Sequence, residues 1–294
     1  MSIDLRAPAA GAPASPPPAG APASPVVAPA RGRSLLRGWL PPLAVLALVL
    51  AGWYAVAYLV LEPRLQFLLP PPHAVLTDGF FEPQVLERMG EAVARTVQVA
   101  ATGLAIAIVL GTAWAVAMSQ ARWVERSLFP YAVVLQTIPI LALVPLIGFW
   151  FGFGFTSRVI VCVLISLFPI VANTLFGLQS VDRSHHDLFT LHGVGRWTRL
   201  VKLQLPAALP AVFAGLRIAA GLSVIGAIVG DLFFKQGEPG IGILIDNYRA
   251  RLQSPELFAS IIAASLIGVV VFLLFGWLGR RVVGAWYDES RRGA

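Results

Sequence analysis

The sequence predicts an all-α, polytopic membrane protein with six transmembrane helices. Composition, six apolar runs and the distribution of basic residues all point to this class. Apolar residues make up 57% of the 294-residue chain, charged residues make up 13%, and the mean hydropathy is +0.77. Soluble domains carry about 25% charged residues, so a soluble fold of this chain would have almost no polar shell.

Six segments are apolar enough to cross a bilayer, which takes about 20 residues in a helix. They span about 42–61, 96–118, 128–152, 159–178, 207–230 and 257–278. The third is interrupted by Pro130, Pro139 and Pro145, which predict a bend or break. A broken helix survives in a membrane only where protein or water satisfies the freed backbone groups. We therefore expect the third helix to lie inside the bundle, followed by a Gly-rich turn at 148–157.

Basic residues orient these helices. With the N-terminus placed in the cytoplasm, fourteen of the 22 Lys and Arg residues fall in cytoplasmic segments and seven fall on the opposite face. This bias follows the positive-inside rule and predicts that both chain ends are cytoplasmic. The net charge of +7 needs no nucleic-acid partner, because basic residues gather in loops that face anionic lipid.

The segments outside the membrane differ in character. Residues 1–38 are predicted to be a disordered, Pro/Ala-rich cytoplasmic tail that ends in a basic cluster. Residues 39–283 form the transmembrane domain, and 284–294 form a cytoplasmic tail. On the opposite face, 62–94 is expected to hold a short amphipathic surface helix, and 231–256 a turn followed by a short helix near 241–252.

A polar, basic segment, DLFTLHGVGRWTRLVKLQLP at 187–206, separates the fourth and fifth spans. It resembles the E-A-A-x3-G-x9-I-x-L-P signature of permease subunits of bacterial ATP-binding-cassette importers. Leu188 and Phe189 replace the two alanines of that signature. The matching positions are Asp187 (for Glu), Gly193, Leu203 (for Ile), Leu205 and Pro206. Further similarity at Ile138-Pro139, Val144-Pro145-Leu146, Phe168-Pro169 and Gly215-Leu216-Arg217 is typical of the nitrate, sulfonate and taurine branch.

The resemblance implies a type I importer permease fold in the bacterial inner membrane. It implies that 182–206 docks on a separate ATPase and that ATP and Mg²⁺ bind that ATPase, with no cofactor on this chain. The implied partners are two ATPase copies, a second permease subunit in a homodimer, an extracytoplasmic solute-binding protein and the lipid bilayer. The implied solute is a small anion such as a sulfonate, taurine or nitrate, or a vitamin or thiamine precursor.

The coupling segment also has a physical interpretation of its own. Residues of about 184–194 can form a short helix, with Asp187 near its start complementing the helix dipole. Gly193 permits a left-handed cap at its end. Leu188 and Phe189 would expose apolar bulk to a partner's cleft. Pro206 is expected in the first turn of the fifth helix, where its missing N–H costs nothing.

The sequence lacks the motifs of most competing functions. It has no G-x-x-x-x-G-K-[ST] loop, and its sole cysteine, Cys162, lies in an apolar run. The spans hold essentially one ionisable residue, Arg217, which argues against a gradient-driven carrier. The alternative function remains an ATP-independent channel or secondary carrier. A membrane-embedded enzyme is a third alternative, which is disfavoured because no paired carboxylates, Ser/His pair or metal cluster lies within the spans.

The fifth helix is expected to line the translocation path or the dimer interface. Its small residues Gly215, Gly226 and Gly230 allow close helix approach, although packing within one subunit is the alternative. Four polar residues at membrane depth could touch solute or join helices by hydrogen bonds: Gln136, Thr137, Asn173 and Ser223. Arg217 is expected to hydrogen-bond carbonyls freed by the prolines of the third helix; its alternative role is attracting an anion.

Because the chain lacks a phosphate-binding loop, the purified protein is expected to hydrolyse no ATP by itself. The measurement is phosphate release by the isolated chain in detergent, with its cognate ATPase as the positive control. Turnover by the isolated chain, proportional to its concentration after removal of trace ATPase, would contradict this expectation.

Overall fold

A computed structural model describes residues 34–292 of the chain, and the described part forms no strand. Most of the predicted N-terminal tail, residues 1–33, lies outside the described residues, as do 293–294. The α-helices are α1 Ser34–Ala55, α2 Pro72–Ala74, α3 Pro83–Ser119, α4 Arg122–Thr137, α5 Ile140–Phe151, α6 Phe155–Gln179, α7 Arg183–Leu191, α8 Arg196–Arg199, α9 Leu205–Phe233, α10 Ile241–Ala250 and α11 Ser254–Arg292.

Shorter helical turns join several of these helices. A 3₁₀ turn covers Pro63–Leu68, and π-helical turns cover Val56–Val60, Val75–Phe80 and Leu200–Gln204. The chain divides into two compact units, and the division falls within α1, between Val49 and Leu50. The second unit, from Leu50 onward, contains all the other helices and the candidate functional site.

Five helical stretches are long and apolar enough to span a bilayer, namely Leu40–Val60, Pro83–Ser119, Phe155–Gln179, Arg196–Phe233 and Ser254–Gly284. The pair α4 and α5 makes a sixth if it counts as one broken span. The axes of that pair differ by 97° across Ile138 and Pro139. The break predicted for the third span is therefore present. It falls at Pro139, whereas Pro130 and Pro145 lie within helices.

Helix α6 is the centre of the bundle and lies between α3 and α9. A Cβ at Gly111 of α3 would lie 2.9 Å from Ile170 of α6, so the two helices touch at a glycine. A Cβ at Gly215 of α9 would lie 2.8 Å from the carbonyl oxygen of Pro169, and one at Gly226 would lie 2.9 Å from the Cα of Cys162. Later positions of α9 thus meet earlier positions of α6, so these two helices are antiparallel. Small residues let their backbones approach this closely.

The third predicted span is not inside the bundle of this subunit, contrary to expectation. On α4, Ala132 is the one residue with a fully buried side chain, and on α5 Trp150 is 69% exposed. The Gly-rich turn is also shorter than predicted, because α5 continues to Phe151 and α6 begins at Phe155. Helix α5 packs one face against α6 through Val144 and Ile147, but much of the apolar surface of the helix pair is uncovered within one subunit.

The amphipathic surface helix expected within 62–94 is not a separate element. Residues Glu87 and Glu91 lie in the first turns of α3, which continues for 37 residues to Ser119. No proline follows Pro83 in this stretch, and Pro83 itself occupies the helix start, where its missing N–H is tolerated. The short helix expected near 241–252 is present as α10, Ile241–Ala250.

Gly226→Ala is expected to lower the free energy of unfolding by about 1–3 kcal/mol, because the added methyl would overpack the contact of α9 with α6. The matched control is Gly221→Ala, five residues earlier on α9, where an added Cβ meets nothing within 4 Å. That control should be neutral or slightly stabilising, since alanine restricts the unfolded chain. Equal unfolding midpoints of the two variants in detergent would show that the close approach of α9 to α6 is not required.

Candidate functional site

The coupling segment contains a short helix, α7, that is capped at its C-terminus by its own backbone. Gly193 adopts the left-handed conformation with φ of +64°. Its N–H donates to the Thr190 carbonyl at 3.0 Å, and the N–H of Val194 donates to the Phe189 carbonyl at 3.1 Å. These two bonds form a Schellman cap, which satisfies carbonyls that the helix end leaves free. The role predicted for Gly193 is therefore seen in the backbone.

The start of α7 differs from the prediction. The helix begins at Arg183, with Asp182 at its N-cap position, and the carbonyl of Asp182 accepts from the N–H of His185 at 3.2 Å. Asp187 lies in the second turn and is exposed. Because the dipole effect fades within the first turn, Asp187 has little to gain from it. Asp182 is the acidic residue closer to the helix start.

The exposed face of the segment is apolar in places. None of the side chains of α7 is buried. Leu188 is 50% exposed, Leu191 is 85% exposed and Trp197 is 73% exposed, whereas Phe189 is half-buried. Leu188 and Phe189 also line a shallow pocket of about 370 Å³. The sequence analysis named Leu188 and Phe189 but missed Leu191 and Trp197. Both are large apolar residues in an otherwise polar loop, and that pattern could have indicated them.

The second half of the signature lies where a continuous helical stretch passes into α9. The stretch Arg196–Phe233 is helical throughout, with a π turn over Leu200–Gln204 that ends where α9 begins. Pro206 is the second residue of α9 and lies in its first turn, as predicted, although the helical stretch itself begins earlier. Pro206 has no N–H to donate to the carbonyl four residues earlier, and the wider π turn accommodates it.

The two halves of the signature thus differ in burial. Leu200 is 2% exposed and packs with Leu178 of α6 and Ala208 of α9, and Leu205 packs against this cluster. Leu203 and Pro206 are half-buried in the same helical stretch. This half anchors the segment to the bundle, while the half around α7 is presented outward. A hydrogen bond of 2.8 Å from Arg199 Nη2 to Thr190 Oγ1 connects them.

The glycines of α9 face the neighbouring helix of the same subunit. Gly215, Gly226 and Gly230 are buried, and a Cβ on Gly230 would lie 3.1 Å from the Cα of Arg158. Residues on a dimer interface or along a path would be accessible in a single subunit. The structure therefore assigns these glycines to packing within the subunit, which was the alternative interpretation.

The four polar residues at membrane depth fall into two groups. Asn173 Nδ2 donates to the Pro169 carbonyl at 2.8 Å, and buried Ser223 Oγ donates to the Ala220 carbonyl at 2.8 Å. Both bonds stay within one helix, so they do not join helices as predicted. Gln136 and Thr137 are exposed at the end of α4, beside the Pro139 break. These two remain the candidates for contact with solute.

Arg217 lies against α11 and not against the third span. Its guanidinium carbon is 3.8 Å from the centre of the Phe272 ring, and a Cβ on Gly276 would lie 3.3 Å from the same carbon. The predicted hydrogen bonds to carbonyls of the broken helix are therefore wrong. The reason is geometric, because the Arg217 side chain packs on Phe272 and Gly276 of α11.

A buried ion pair ties the outer ends of the helices together. Arg158 Nη1 lies 3.1 Å from Asp231 Oδ1, with side chains that are 4% and 0% exposed. Asp231 Oδ2 also accepts from Thr96 Oγ1 at 3.0 Å. Thr96 Oγ1 in turn accepts from the N–H of Ile241 at 2.8 Å. One network therefore joins α3, α6, α9 and the start of α10.

Arg158 also holds the loop that follows α9. Its guanidinium donates to the carbonyls of Phe234 at 2.6 Å, Gln236 at 3.0 Å and Glu238 at 2.9 Å. A side chain on Gly240 would collide with the Asp231 carboxylate, so only glycine fits there. The loop before α10 is fixed in place by charge and by close packing.

Sequence reasoning missed this network because it placed Arg158 and Asp231 just outside the spans. Both lie within spanning stretches, Phe155–Gln179 and Arg196–Phe233. The premise that the spans hold essentially one ionisable residue is therefore wrong. The two charges are paired with each other. They lie more than seventy residues apart in sequence, so no local pattern reveals the pair.

The surface next to this network carries a second group of charges. Lys235 and Arg249 both donate to the carboxylate of Asp246, and these hydrogen bonds lower its pKa below the usual range. Asp246 therefore stays ionised to more acidic pH, and its two contacts weaken only as the pH falls through that lowered pKa. Arg95 and Glu238 form a further, exposed pair at 3.4 Å.

Metal binding finds no support within residues 34–292, where no group of three or more His, Cys, Asp or Glu side chains could hold an ion. Cys162 is buried and its Sγ donates to the Ser223 carbonyl at 3.4 Å. The distinctive features of the described residues are a helical bundle, a capped and exposed α7, and a broken span.

These features define a permease subunit of an ATP-binding-cassette importer with the type I fold, a multi-pass protein of the bacterial inner membrane. The chain belongs to the family of binding-protein-dependent transport system inner membrane components, which it matches over residues 104–284. Members of this family are transport subunits, which indicates a non-catalytic role.

Several relatives place the chain within the predicted branch. It is 33% identical to the riboflavin transport system permease protein RibX of Chloroflexus aurantiacus, over 86% of this chain and 94% of that protein. It is 33% identical to the formylaminopyrimidine transport permease protein ThiX of Halalkalibacterium halodurans, over 79% and 90%. It is 26% identical to the nitrate import permease protein NrtB of Synechococcus elongatus, over 84% and 91%.

Arg158→Met is expected to cost about 3–5 kcal/mol of unfolding free energy, because it leaves the buried Asp231 carboxylate uncompensated. The control is Glu238→Gln, which removes the exposed pair with Arg95 and should cost less than about 1 kcal/mol. Both variants can be followed by chemical unfolding in detergent. If Arg158→Met were as stable as Glu238→Gln, the buried pair would not hold the helix ends together.

Proposed function

We propose that this permease subunit couples to a separate ATPase through residues 182–206, and that ATP and Mg²⁺ bind only on that partner. One observation carries the proposal: α7 is a capped helix without a buried side chain that exposes Leu188 and Leu191. Trp197 adds a third exposed apolar residue from α8. Clustered exposed apolar side chains of this kind mark sites of protein–protein interaction.

Coupling requires that a movement of α7 reach the membrane helices. The segment supplies a route, because α8, the π turn and α9 form one continuous helical stretch, Arg196–Phe233. The bond between Arg199 and Thr190 ties α7 to the start of this stretch. An ATPase that pulls or releases α7 would therefore act on α9 at its cytoplasmic end.

The assembly we propose has two copies of this permease, two ATPase subunits and one extracytoplasmic solute-binding protein, with no nucleic acid. The uncovered apolar surface of α4 and α5 favours a second permease copy, since Trp123 and Phe149 are 73% and 76% exposed. The charged surface of Lys235, Asp246 and Arg249 lies at the other end of the bundle and suits a binding protein.

The translocation path we propose runs past the Pro139 break, between the two permease copies. Pro139 has no N–H, so the carbonyl of Leu135 loses its helical donor. Exposed Gln136 and Thr137 add polar side chains beside it. Free backbone and polar groups at membrane depth need water or protein around them, so this region suits a water-filled cavity.

For the solute, we propose a small anion or a vitamin or thiamine precursor. The relatives named above transport riboflavin, formylaminopyrimidine and nitrate, which span both classes. Titration of the solute-binding protein encoded beside this gene, with nitrate, taurine, an aliphatic sulfonate, riboflavin and formylaminopyrimidine, distinguishes them. Binding of none of the five would contradict the proposed classes.

The coupling proposal predicts that Gly193→Val abolishes most ATP-driven uptake while the subunit still inserts and folds. Valine at φ of +64° is strained by about 1–2 kcal/mol, enough to lower the population of the capped helix by about 5- to 30-fold. The bundle should be unaffected, because α7 contributes no buried side chain. Uptake and ATPase co-purification are measured with the full complex in liposomes.

The matched control is Gly195→Val, two residues later, where φ is −64° and an added Cβ meets nothing within 4 Å. This control should retain uptake. Leu191→Ser should weaken ATPase co-purification without changing the unfolding midpoint of the subunit. Wild-type uptake and ATPase binding in Gly193→Val and Leu191→Ser would remove the docking proposal. Uptake that persists after ATP depletion would instead favour the channel or secondary carrier.

A further inference from the structure

The exposed face of α5 carries a feature that lipid tolerates poorly. Pro145 lies within α5 and has no N–H, so the carbonyl of Leu141 loses its helical donor. Pro145 is exposed, and Leu141, one turn earlier on the same face, is 60% exposed. We call this side the proline face of α5. Inside a bilayer a freed carbonyl needs protein or water beside it, so the proline face suits an aqueous path or a second protein surface.

The opposite face of α5 is covered within the subunit. Val144 and Ile147 are buried and pack with Val161 of α6. The proline face is therefore directed away from the bundle. Phe149 lies one turn beyond Pro145 on the proline face, and its side chain is 76% exposed. A large aromatic ring thus stands on the same side of α5 as the freed carbonyl, close to the outer end of the helix.

The Phe149 ring is supported from behind by two further rings. It packs edge-on against Phe153 with ring centres 6.0 Å apart, and Phe153 packs against Phe234 with ring centres 6.2 Å apart. A Cβ on Gly148 would lie 2.5 Å from the Phe153 ring, so a glycine is needed for this ring to pack so close to α5. The position of Phe149 is therefore set by the packing of the turn that follows α5.

This aromatic row is joined to the loop before α10. The N–H of Gln236 donates to the Phe153 carbonyl at 3.2 Å. The Arg158 guanidinium donates to the carbonyls of Phe234 and Gln236. The turn between α5 and α6 and the loop 234–240 are thus connected by backbone, side-chain and ring contacts. A displacement of the loop would therefore be passed to the ring of Phe149.

From these observations we propose that Phe149 closes the outer end of the translocation path by packing against Phe149 of a second copy of the chain. This gate rests on the homodimer and the path proposed above. In a twofold-symmetric pair, a residue near the axis meets the same residue of the other copy. A constriction made of apolar rings excludes water and polar solutes.

The spacing along α5 separates the gate from the polar part of the path. Phe149 lies about 14 Å beyond Ile140, the first residue of α5 after the break at Pro139, at 1.5 Å per residue. The polar break therefore lies in the interior of the path, and the aromatic pair lies at its outer end. Because Phe149 is linked to the loop 234–240, a binding protein that displaces this loop would also move the gate.

An aromatic belt in contact with lipid headgroups is the competing interpretation, because aromatic residues gather at membrane–water interfaces. Phe155 fits that role, since it is 46% exposed at the start of α6. Phe149 differs because it shares its face with Pro145, whose freed carbonyl partner is unsuited to lipid. Phe155 is therefore the matched control for Phe149.

The test measures how fast Gln136→Cys reacts with a membrane-impermeant, positively charged thiol reagent in the complete transporter in proteoliposomes. The sole natural cysteine, Cys162, is buried, so the unsubstituted chain gives the background. In the resting complex Gln136→Cys should react quickly from the side of the coupling segment and slowly from the outer side. Adding Phe149→Ala should speed the outer-side reaction by about 10- to 100-fold, the factor that corresponds to losing one buried aromatic ring.

Adding Phe155→Ala instead should leave the outer-side rate unchanged. Phe149→Ala should fold normally, because this side chain is mostly exposed within the subunit. A short bifunctional thiol reagent should join two copies that carry Phe149→Cys.

An outer-side rate that Phe149→Ala leaves unchanged, or that Phe155→Ala raises equally, would overturn the gate and leave the path standing. Fast outer-side labelling of Gln136→Cys while Phe149 is in place would do the same. No labelling of Gln136→Cys from either side would instead contradict the path, and the gate with it.

Discussion

The close antiparallel contact of α6 with α9 is the constraint on which the remaining structure depends. Glycines at 215, 226 and 230 carry no side chain on the face of α9 that meets α6, so the two backbones approach closely at these positions. Inside a bilayer, helix association comes from close van der Waals packing rather than from the exclusion of water. Contacts this short are therefore a main source of cohesion. α3 adds a similar contact on the other side of α6 through Gly103 and Gly111.

The contact is closed at its outer end by charge and at its inner end by apolar packing. At the outer end, Arg158 of α6 and Asp231 of α9 form a buried pair, and Arg158 also fixes the loop that leads to α10. At the inner end, Leu200 anchors the helical stretch to α6, while α7 is presented without buried side chains. This difference between the two ends suits a subunit that is moved at its inner end, through α7, while its outer helix ends stay fixed to one another.

Arg158 and Arg217, both within the spanning helices, illustrate different solutions to the same energetic cost. A charge in the membrane is expensive unless it is paired or reaches water or a headgroup. Arg158 meets an acidic partner and three backbone carbonyls within the subunit. Arg217 meets an aromatic face beside an open groove. The same residue type is thus paired with a charge in one place and stacked on an aromatic ring in the other.

The sequence by itself determined the class, the approximate spans and the capped helix in the polar loop. Long apolar runs, proline positions and a polar loop are local signals, so the break at Pro139 and the left-handed cap at Gly193 could be predicted from single residues. The exposure of Leu188 was likewise predictable, because an apolar residue in a short, mostly polar helix has few apolar neighbours on that helix to cover it.

Only the tertiary structure decided which surfaces these elements present to one another. The glycines of α9 suit a dimer interface or an internal contact equally well in sequence, and the fold assigns them to α6. The pairing of Arg158 with Asp231, and the placement of Arg217 against Phe272, join residues more than fifty positions apart. Such contacts depend on helix rotation and register in the bundle, which local periodicity does not determine, because every face of a lipid-embedded helix is apolar.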